Sequence, residues 1–317
     1  MKTALIISAC IIGAILLVIL VLSEFFYEVI LNMKVVRKYA KKFNMYDDTI
    51  INLFRKNPLY SESMKWFLKL KLQDNVIKDS KGNDVHSYII ENENETNRWA
   101  ICVHGYMGAP SIQAPFAKHF YDNGYNVLCP SLRAHGEDKH RYCSMGWHDK
   151  DIVIAWIDYL VKEYPDCEII LHGVSMGAST VMLVTGEKIP SNVKCAVSDC
   201  GFASCKDQFM HVMKNRMKIP VFPFFQLGNM FSVIRGNLNF AECSSVQAVS
   251  KSVTPTLFIH GTADDFVPYR VIEDVWEACS AEKERLDVEG AAHAVSLAHD
   301  TELYLSTMEN FISKYIT

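Results

Sequence analysis

Glu168-Ile169-Ile170-Leu171-His172-Gly173-Val174-Ser175-Met176-Gly177 runs from an apolar stretch straight into Gly-x-Ser-x-Gly, and a helix-compatible segment follows. This pattern predicts a tight strand-to-helix turn that lifts a serine hydroxyl clear of a sheet. The turn holds the serine in an uncommon backbone conformation, and side chains at Gly173 or Gly177 would collide with the neighbouring strand or helix. Ser175 is thereby nominated as an activated nucleophile, with most of the chain as its scaffold.

The surrounding pattern suits such a turn. From about residue 75 onward, apolar strands alternate with helices. Strands are expected at 75–79, 85–91, 99–103, 125–129, around Ile169, at 194–198, 256–260 and 285–288, with helices at 111–123 and 149–163. That alternation implies a mostly parallel sheet covered on both faces, with its chemistry at the carboxyl ends of the strands. Between Asp199 and Thr256 the rhythm breaks. More than fifty residues rich in Phe and Met, including Phe209, Met213, Met217, Phe224, Phe225 and Met230, are too many and too apolar for an ordinary connection. They predict a helical cap over the site, about residues 203–252. Most are expected to hold the cap to the body, and a few to face a substrate.

A serine nucleophile needs a base to accept its proton and a carboxylate to orient that base. The strand at 256–260 is followed by Gly261-Thr262-Ala263-Asp264-Asp265, so Asp264 is the expected acid and Asp265 the alternative. After the last strand, Gly290-Ala291-Ala292-His293 places a histidine in a small-residue loop, and His293 is the expected base. His299 is expected on the final helix, and His172 and His260, each before a strand-end glycine, in structural roles. Two backbone N–H groups must hold the oxyanion. Met176, first residue of the elbow helix, and Tyr106, in His104-Gly105-Tyr106-Met107-Gly108, are the candidates.

With these landmarks in order, the sequence resembles the α/β-hydrolase superfamily. More narrowly, it is similar to membrane-anchored bacterial hydrolases related to serine aminopeptidases, cinnamoyl esterases and monoacylglycerol lipases. The matching stretches are His104–Gly108, Arg133-Ala134-His135-Gly136, Gly173–Gly177, His260–Asp264 and Gly290–His293, within about residues 75–317. The resemblance implies Ser, Asp and His roles for Ser175, Asp264 and His293, oxyanion roles for Tyr106 and Met176, and cleavage of a carboxylic ester through an acyl-enzyme. The same triad also suits peptidase, thioesterase or acyltransferase chemistry, and a non-catalytic, membrane-tethered binding protein on this fold is the reading from another class. Two departures stand out. Relatives often carry Asp-x-Pro-aromatic where this chain has Asp199-Cys200-Gly201-Phe202, which leaves the path into the cap open. Relatives also often place an aspartate shortly before the Arg-x-His-Gly motif, where this chain has Cys129-Pro130-Ser131-Leu132, so a local salt bridge is expected to be missing.

The N-terminus is different in kind. Ala4 to Ser23 holds no charged residue. Twenty helical residues reach about 30 Å, the thickness of a bilayer core. No small-x-small cleavage site precedes Glu24, and too few apolar residues precede Ile7-Ser8-Ala9-Cys10 for a lipoprotein signal, so residues 1–23 are expected to form an uncleaved anchor. Residues 24–57 are expected to form a basic amphipathic juxtamembrane segment. Phe26, Val29, Ile30, Met33, Val36, Ala40 and Phe43 make one stripe, interleaved with Lys34, Arg37, Lys38, Lys41 and Lys42. Such a segment can lie on anionic headgroups or pack on the catalytic domain with a solvated basic face. Residues 58–317 then form the α/β domain. The basic cluster on the C-terminal side of the anchor predicts a single-pass protein of the cell membrane with that domain in the cytoplasm.

The remaining composition is permissive. Half of the 317 residues are hydrophobic, enough for a sizeable core, and a net charge of −4 gives no reason to expect nucleic acid as a partner. The ten cysteines show no C-x-x-C or zinc spacing and read as reduced, structural thiols. No cofactor is implied, and neither a P-loop nor a dinucleotide fingerprint is present. The expected partners are a small-molecule or lipid-like ester and the membrane. Composition does not speak to oligomeric state.

Overall fold

The computed structural model describes residues 2–39 and 56–316. Its centre is an eight-stranded sheet: β1 (Asn75–Lys78), β2 (Asp84–Ile90), β3 (Arg98–Val103), β4 (Asn126–Pro130), β5 (Glu168–Val174), β6 (Val193–Asp199), β7 (Thr256–Gly261) and β8 (Lys283–Val288). The spatial order is β1-β2-β4-β3-β5-β6-β7-β8. β2 runs antiparallel to both β1 and β4, and every pairing from β4 to β8 is parallel. β5, fully buried along its length, lies between β3 and β6.

Side-chain alternation divides the core into two layers. Ile101, Val103, Ile169, Leu171 and Phe258 point to one face, while Ala100, Cys102, Ile170, Leu257 and Ile259 point to the other. The first layer is closed by α5 (Asp149–Glu163), which brings Trp156, and by α6 (Met176–Thr185), whose every residue is buried. The second is closed by α4 (Ala114–Asp122), which contributes Phe120, and by α12 (Thr301–Ile312), which contributes Tyr304 and Phe311. The expected helix over 111–123 is in fact a 3-10 turn, Pro110–Gln113, that leads into α4. His299 does not lie on the final helix. It ends the short α11 (Ser296–His299), and Asp300 then caps α12 by accepting a hydrogen bond from the Leu303 N–H. α3 (Pro58–Lys69) and α10 (Val271–Ala278) complete the body.

The insertion after β6 contains α7 (Cys205–His211), a π-helical stretch Val212–Met217, α8 (Phe224–Gly236) and α9 (Ser245–Val249). Its entry and exit are pinned together by a Ser204–Ser244 bridge and by the Cys205 N–H bonded to the Cys243 carbonyl. α9 belongs to the body rather than the cap. A Cβ on Gly186, at the end of α6, would lie 2.6 Å from the Cα of Ala248.

At the N-terminus, α1 (Lys2–Leu31) is one helix of 30 residues, and α2 (Met33–Tyr39) follows at once. α1 is long and apolar enough to cross a membrane, and no residue of its most apolar stretch is buried. From Ser23 onward its character changes. Ser23, Tyr27 and Leu31 are buried, at a spacing that places them on one helix face, and Met33 and Val36 of α2 are buried too. The described part of the stripe therefore packs against the domain, while Lys34, Arg37 and Lys38 face outward. Ala40, Lys41, Lys42 and Phe43 lie outside the described residues.

Candidate active site

Ser175 sits between β5 and α6 with φ 58° and ψ −118°, a strained conformation for a residue with a side chain. The surroundings hold it there. Its N–H donates to the Asp199 carbonyl at 2.8 Å. A Cβ on Gly173 would lie 2.3 Å from the Gly177 carbonyl oxygen, and one on Gly177 only 2.1 Å from that of Val103. Gly177→Ala is therefore expected to destabilise the fold by about 1–3 kcal/mol or more, since the obstructing atoms are the backbone of Val103 and His104 at the end of β3 and cannot move aside. Thermal unfolding of the purified variant checks this.

The Ser175 Oγ lies 2.8 Å from His293 Nε2, and His293 Nδ1 lies 2.7 Å from Asp264 Oδ2. Strand β7 delivers Asp264 and the loop after β8 delivers His293, so three separate strand ends converge on one hydrogen-bonded line. Asp264 is further fixed by the Phe266 and Val267 N–H groups, each donating to Oδ1 at 2.9 Å. Burial alone would raise its pKa. The opposing charge of His293 and hydrogen bonds from His260 and His293 outweigh that and hold the carboxyl well below the usual carboxylate range. Asp265, the alternative acid, points elsewhere. Its side chain is 83% exposed and pairs with Arg216 of the cap.

His260 is closer to this line than its structural reading implied. Its Nε2 lies 3.0 Å from the Val267 carbonyl and 3.3 Å from Asp264 Oδ2. Burial depresses its pKa, but the hydrogen bond and charge of Asp264 more than reverse this. The i,i+4 spacing of His260 and Asp264 was the available signal. His172 matches its structural reading. It is stacked on Phe116, bonded to the Tyr304 hydroxyl, and its pKa is depressed by burial to about 3.

Met176 is the first residue of α6, where N–H groups lack intrahelical acceptors and the helix dipole favours negative charge. The loop carrying Tyr106 passes directly beside the serine. A Cβ on Gly105 would stand 3.1 Å from the Val174 carbonyl and 3.3 Å from the Ser175 Cβ. Two buried histidines brace this loop. His104 Nδ1 donates to the Gly105 carbonyl at 2.9 Å, and its Nε2 accepts from the Leu132 N–H at 3.2 Å. His135 Nδ1 donates to the Arg133 carbonyl at 2.8 Å, and its Nε2 accepts from the Met107 N–H at 3.0 Å. Each ring uses one nitrogen as donor and the other as acceptor, which requires neutral imidazoles. Burial depresses both pKa values, that of His104 to about 3.

A carboxylate from downstream braces the backbone of the Arg133-Ala134-His135-Gly136 loop without forming the salt bridge in question. Asp149, fully buried at the start of α5, accepts from the Arg133 N–H at 2.7 Å, the Ser144 hydroxyl at 2.7 Å and the Gly146 N–H at 2.8 Å. The path into the cap is fixed by a serine instead of the proline turn. Phe202 N–H donates to Ser179 Oγ at 2.8 Å.

Above Ser175 opens a narrow cleft with a cavity volume of about 50 Å³. Met145, Met176, Phe202, Phe209, Met217 and Phe266 give it an apolar lining. Ile30 of α1 also lines it, and the Tyr106 hydroxyl donates to the Ile30 carbonyl. Sequence reading missed this contact, which spans 76 positions. Among the described residues, Cys200, Asp264 and His293 are close enough to hold a metal ion. The same Asp264 and His293 atoms are already engaged with one another and with Ser175, which fits a proton relay better than a metal centre.

Comparison with known proteins agrees with this architecture. A family model described as the alpha/beta hydrolase fold matches residues 100–250. The chain is 27% identical over 238 residues to the Bacillus subtilis protein YqkD, covering 75% of this chain and 78% of that one. It is 22% identical over 242 residues to a thermostable monoacylglycerol lipase of a Bacillus species, covering 68% of this chain and 90% of the lipase. Among solved structures, the Pyrococcus furiosus esterase Pf2001 superposes with a TM-score of 0.61 at 21% identity, covering 78% of this chain and 94% of the esterase. Sheet order, elbow, strand-end constellation and these matches together make this chain a protein of the α/β-hydrolase fold.

Proposed function

We propose that the protein is a serine hydrolase that cleaves carboxylic esters through an acyl-enzyme. The observation that carries the reading is the unbroken hydrogen-bonded line Ser175–His293–Asp264 at the floor of an apolar cleft. In the proposed reaction, His293 Nε2 takes the Ser175 proton as Oγ attacks the ester carbonyl. The N–H groups of Tyr106 and Met176 stabilise the developing oxyanion. Collapse of the tetrahedral intermediate breaks the ester C–O bond, and His293 passes its proton to the departing alcohol. Water, deprotonated by the same histidine, then releases the acid and restores Ser175. Asp264 stays ionised throughout and stabilises the imidazolium.

The lining of the cleft favours a lipophilic or aryl acyl group over a charged one. Arg216, the cation at its wall, is already paired with Asp265. We place the domain at the cell membrane by insertion of α1, on the cytoplasmic side by the basic residues of α2. The test is turnover of p-nitrophenyl butanoate beside aminoacyl p-nitroanilides. The expected result is ester hydrolysis with amide hydrolysis at least a hundredfold slower. Preferential amide turnover would assign the site to peptide chemistry instead.

A further inference from the structure

A second, narrow cavity, of about 30 Å³, lies between α1 and the cap, lined by Phe26, Tyr27, Met213, Phe224, Phe225 and Gly228 among others. It shares Ile30 and Phe209 with the cleft over Ser175 and reaches Ser23 at its other end. Beyond Ser23 the character of α1 changes, because Leu20, Val21 and Leu22 and most apolar residues before them are exposed. Ile30 is eight residues past Leu22, about 12 Å along the helix axis. One helix thus provides both the bilayer-length apolar surface and a wall of the candidate active site.

The contacts around this cavity hold α1 to the cap. The rings of Phe26 and Phe224 meet edge-on at 5.6 Å, and those of Tyr27 and Phe231 at 6.0 Å. Arg235, near the end of α8, bonds to Glu24 at 2.7 Å. Beside this junction the cap exposes Phe222 and Ile234, at 75% and 72% exposure. Large apolar side chains so exposed, adjoining an exposed apolar helix, suit a lipid surface better than water.

Resting on the ester-hydrolase reading, we propose that α1 is part of the substrate pocket as well as the anchor. The substrate is a neutral long-chain acyl ester resident in the bilayer. Its carbonyl lies at Ser175, and its chain passes the neck formed by Ile30 and Phe209 into the slot between α1 and α8, toward the membrane end of α1. The enzyme then takes its substrate laterally from the bilayer that holds it.

Gly228 supplies the test. It lines the slot, and a Cβ built on it finds no atom within 4 Å, so a side chain can be added there without a clash at Cβ and narrow the slot. Full-length wild type, Gly228→Phe and Ile30→Trp are reconstituted in phosphatidylcholine vesicles and assayed with p-nitrophenyl butanoate and dodecanoate, with thermal unfolding as the fold check. The expected result is a fall of at least tenfold in the ratio of kcat/KM for dodecanoate over butanoate in both variants. An unchanged ratio in a variant that unfolds like wild type overturns the slot while leaving the hydrolase reading intact. Absence of turnover of either ester by wild type overturns both. If one variant fails to fold, the other decides, because the two substitutions act at opposite ends of the same path.

Discussion

Ser175→Ala is expected to lower kcat for p-nitrophenyl butanoate by a factor on the order of 10⁶ and to abolish covalent labelling by a fluorophosphonate. The magnitude follows from what the substitution removes. Without Oγ there is no acyl-enzyme, and His293 has no proton to take. Any residual rate comes from the oxyanion donors and substrate binding acting on water, which in other triad enzymes retain about 10³–10⁴ over the uncatalysed reaction. The fold is expected to survive. Ser175 is held by its backbone N–H to Asp199 and by the glycines around it, none of which depends on the hydroxyl. A Tm within a few degrees of wild type is therefore expected alongside the lost activity. Equal labelling of wild type and variant would show that the reactive nucleophile is another residue, and the reading of Ser175 would fall.

The elements that position this serine were largely legible in the sequence. The helix 149–163 has the expected bounds, and the strands from β3 onward fall within two residues of expectation. From β3 to β7 the strands are almost wholly buried and mostly apolar, so burial on both faces writes their length directly into the sequence. Ser175, Asp264 and His293 could be nominated because each follows the end of a parallel strand, and side chains there face one edge of the sheet. What stayed hidden depends on contacts between distant positions. Nothing local to Arg133 announces that the carboxylate beside its loop comes from Asp149, sixteen residues on. The bracing of Met107 by His135 spans 28 positions. α1 is the strongest case. Its apolar run predicts a membrane span, but the same apolar character masks the point at which the buried stripe from Ser23 onward turns to the cap and the cleft. The sequence also suggested that this stripe could rest on headgroups, and the burial of Met33 and Val36 shows that its described part packs on protein.

Asp264→Asn is expected to lower kcat by about 10⁴-fold with little change in KM, and the reason lies in one hydrogen atom. Asp264 Oδ2 accepts from His293 Nδ1, so the proton of the neutral imidazole sits on Nδ1 and Nε2 is left to accept from Ser175. With Oδ1 still held by the Phe266 and Val267 N–H groups, an asparagine would turn its amide NH₂ toward His293. The ring would then carry its proton on Nε2, facing Ser175, where it cannot act as a base. Asp265→Asn is the contrasting variant. It breaks only an exposed pair with Arg216, of a kind that contributes about 0.2–1 kcal/mol, and is expected to alter kcat by less than about tenfold. Equal losses in the two variants would count against Asp264 as the orienting carboxylate. Stability supplies a second, independent reading. The folded pKa of Asp264 is depressed, so its ionised form stabilises the native state fully above the unfolded value of about 3.9 and progressively less as pH falls below it. The difference in Tm between wild type and Asp264→Asn is therefore expected to be constant near neutrality and to narrow as pH is lowered below about 4. A difference that widens on acidification would mean that the carboxylate is not held in its charged form by His293 and His260.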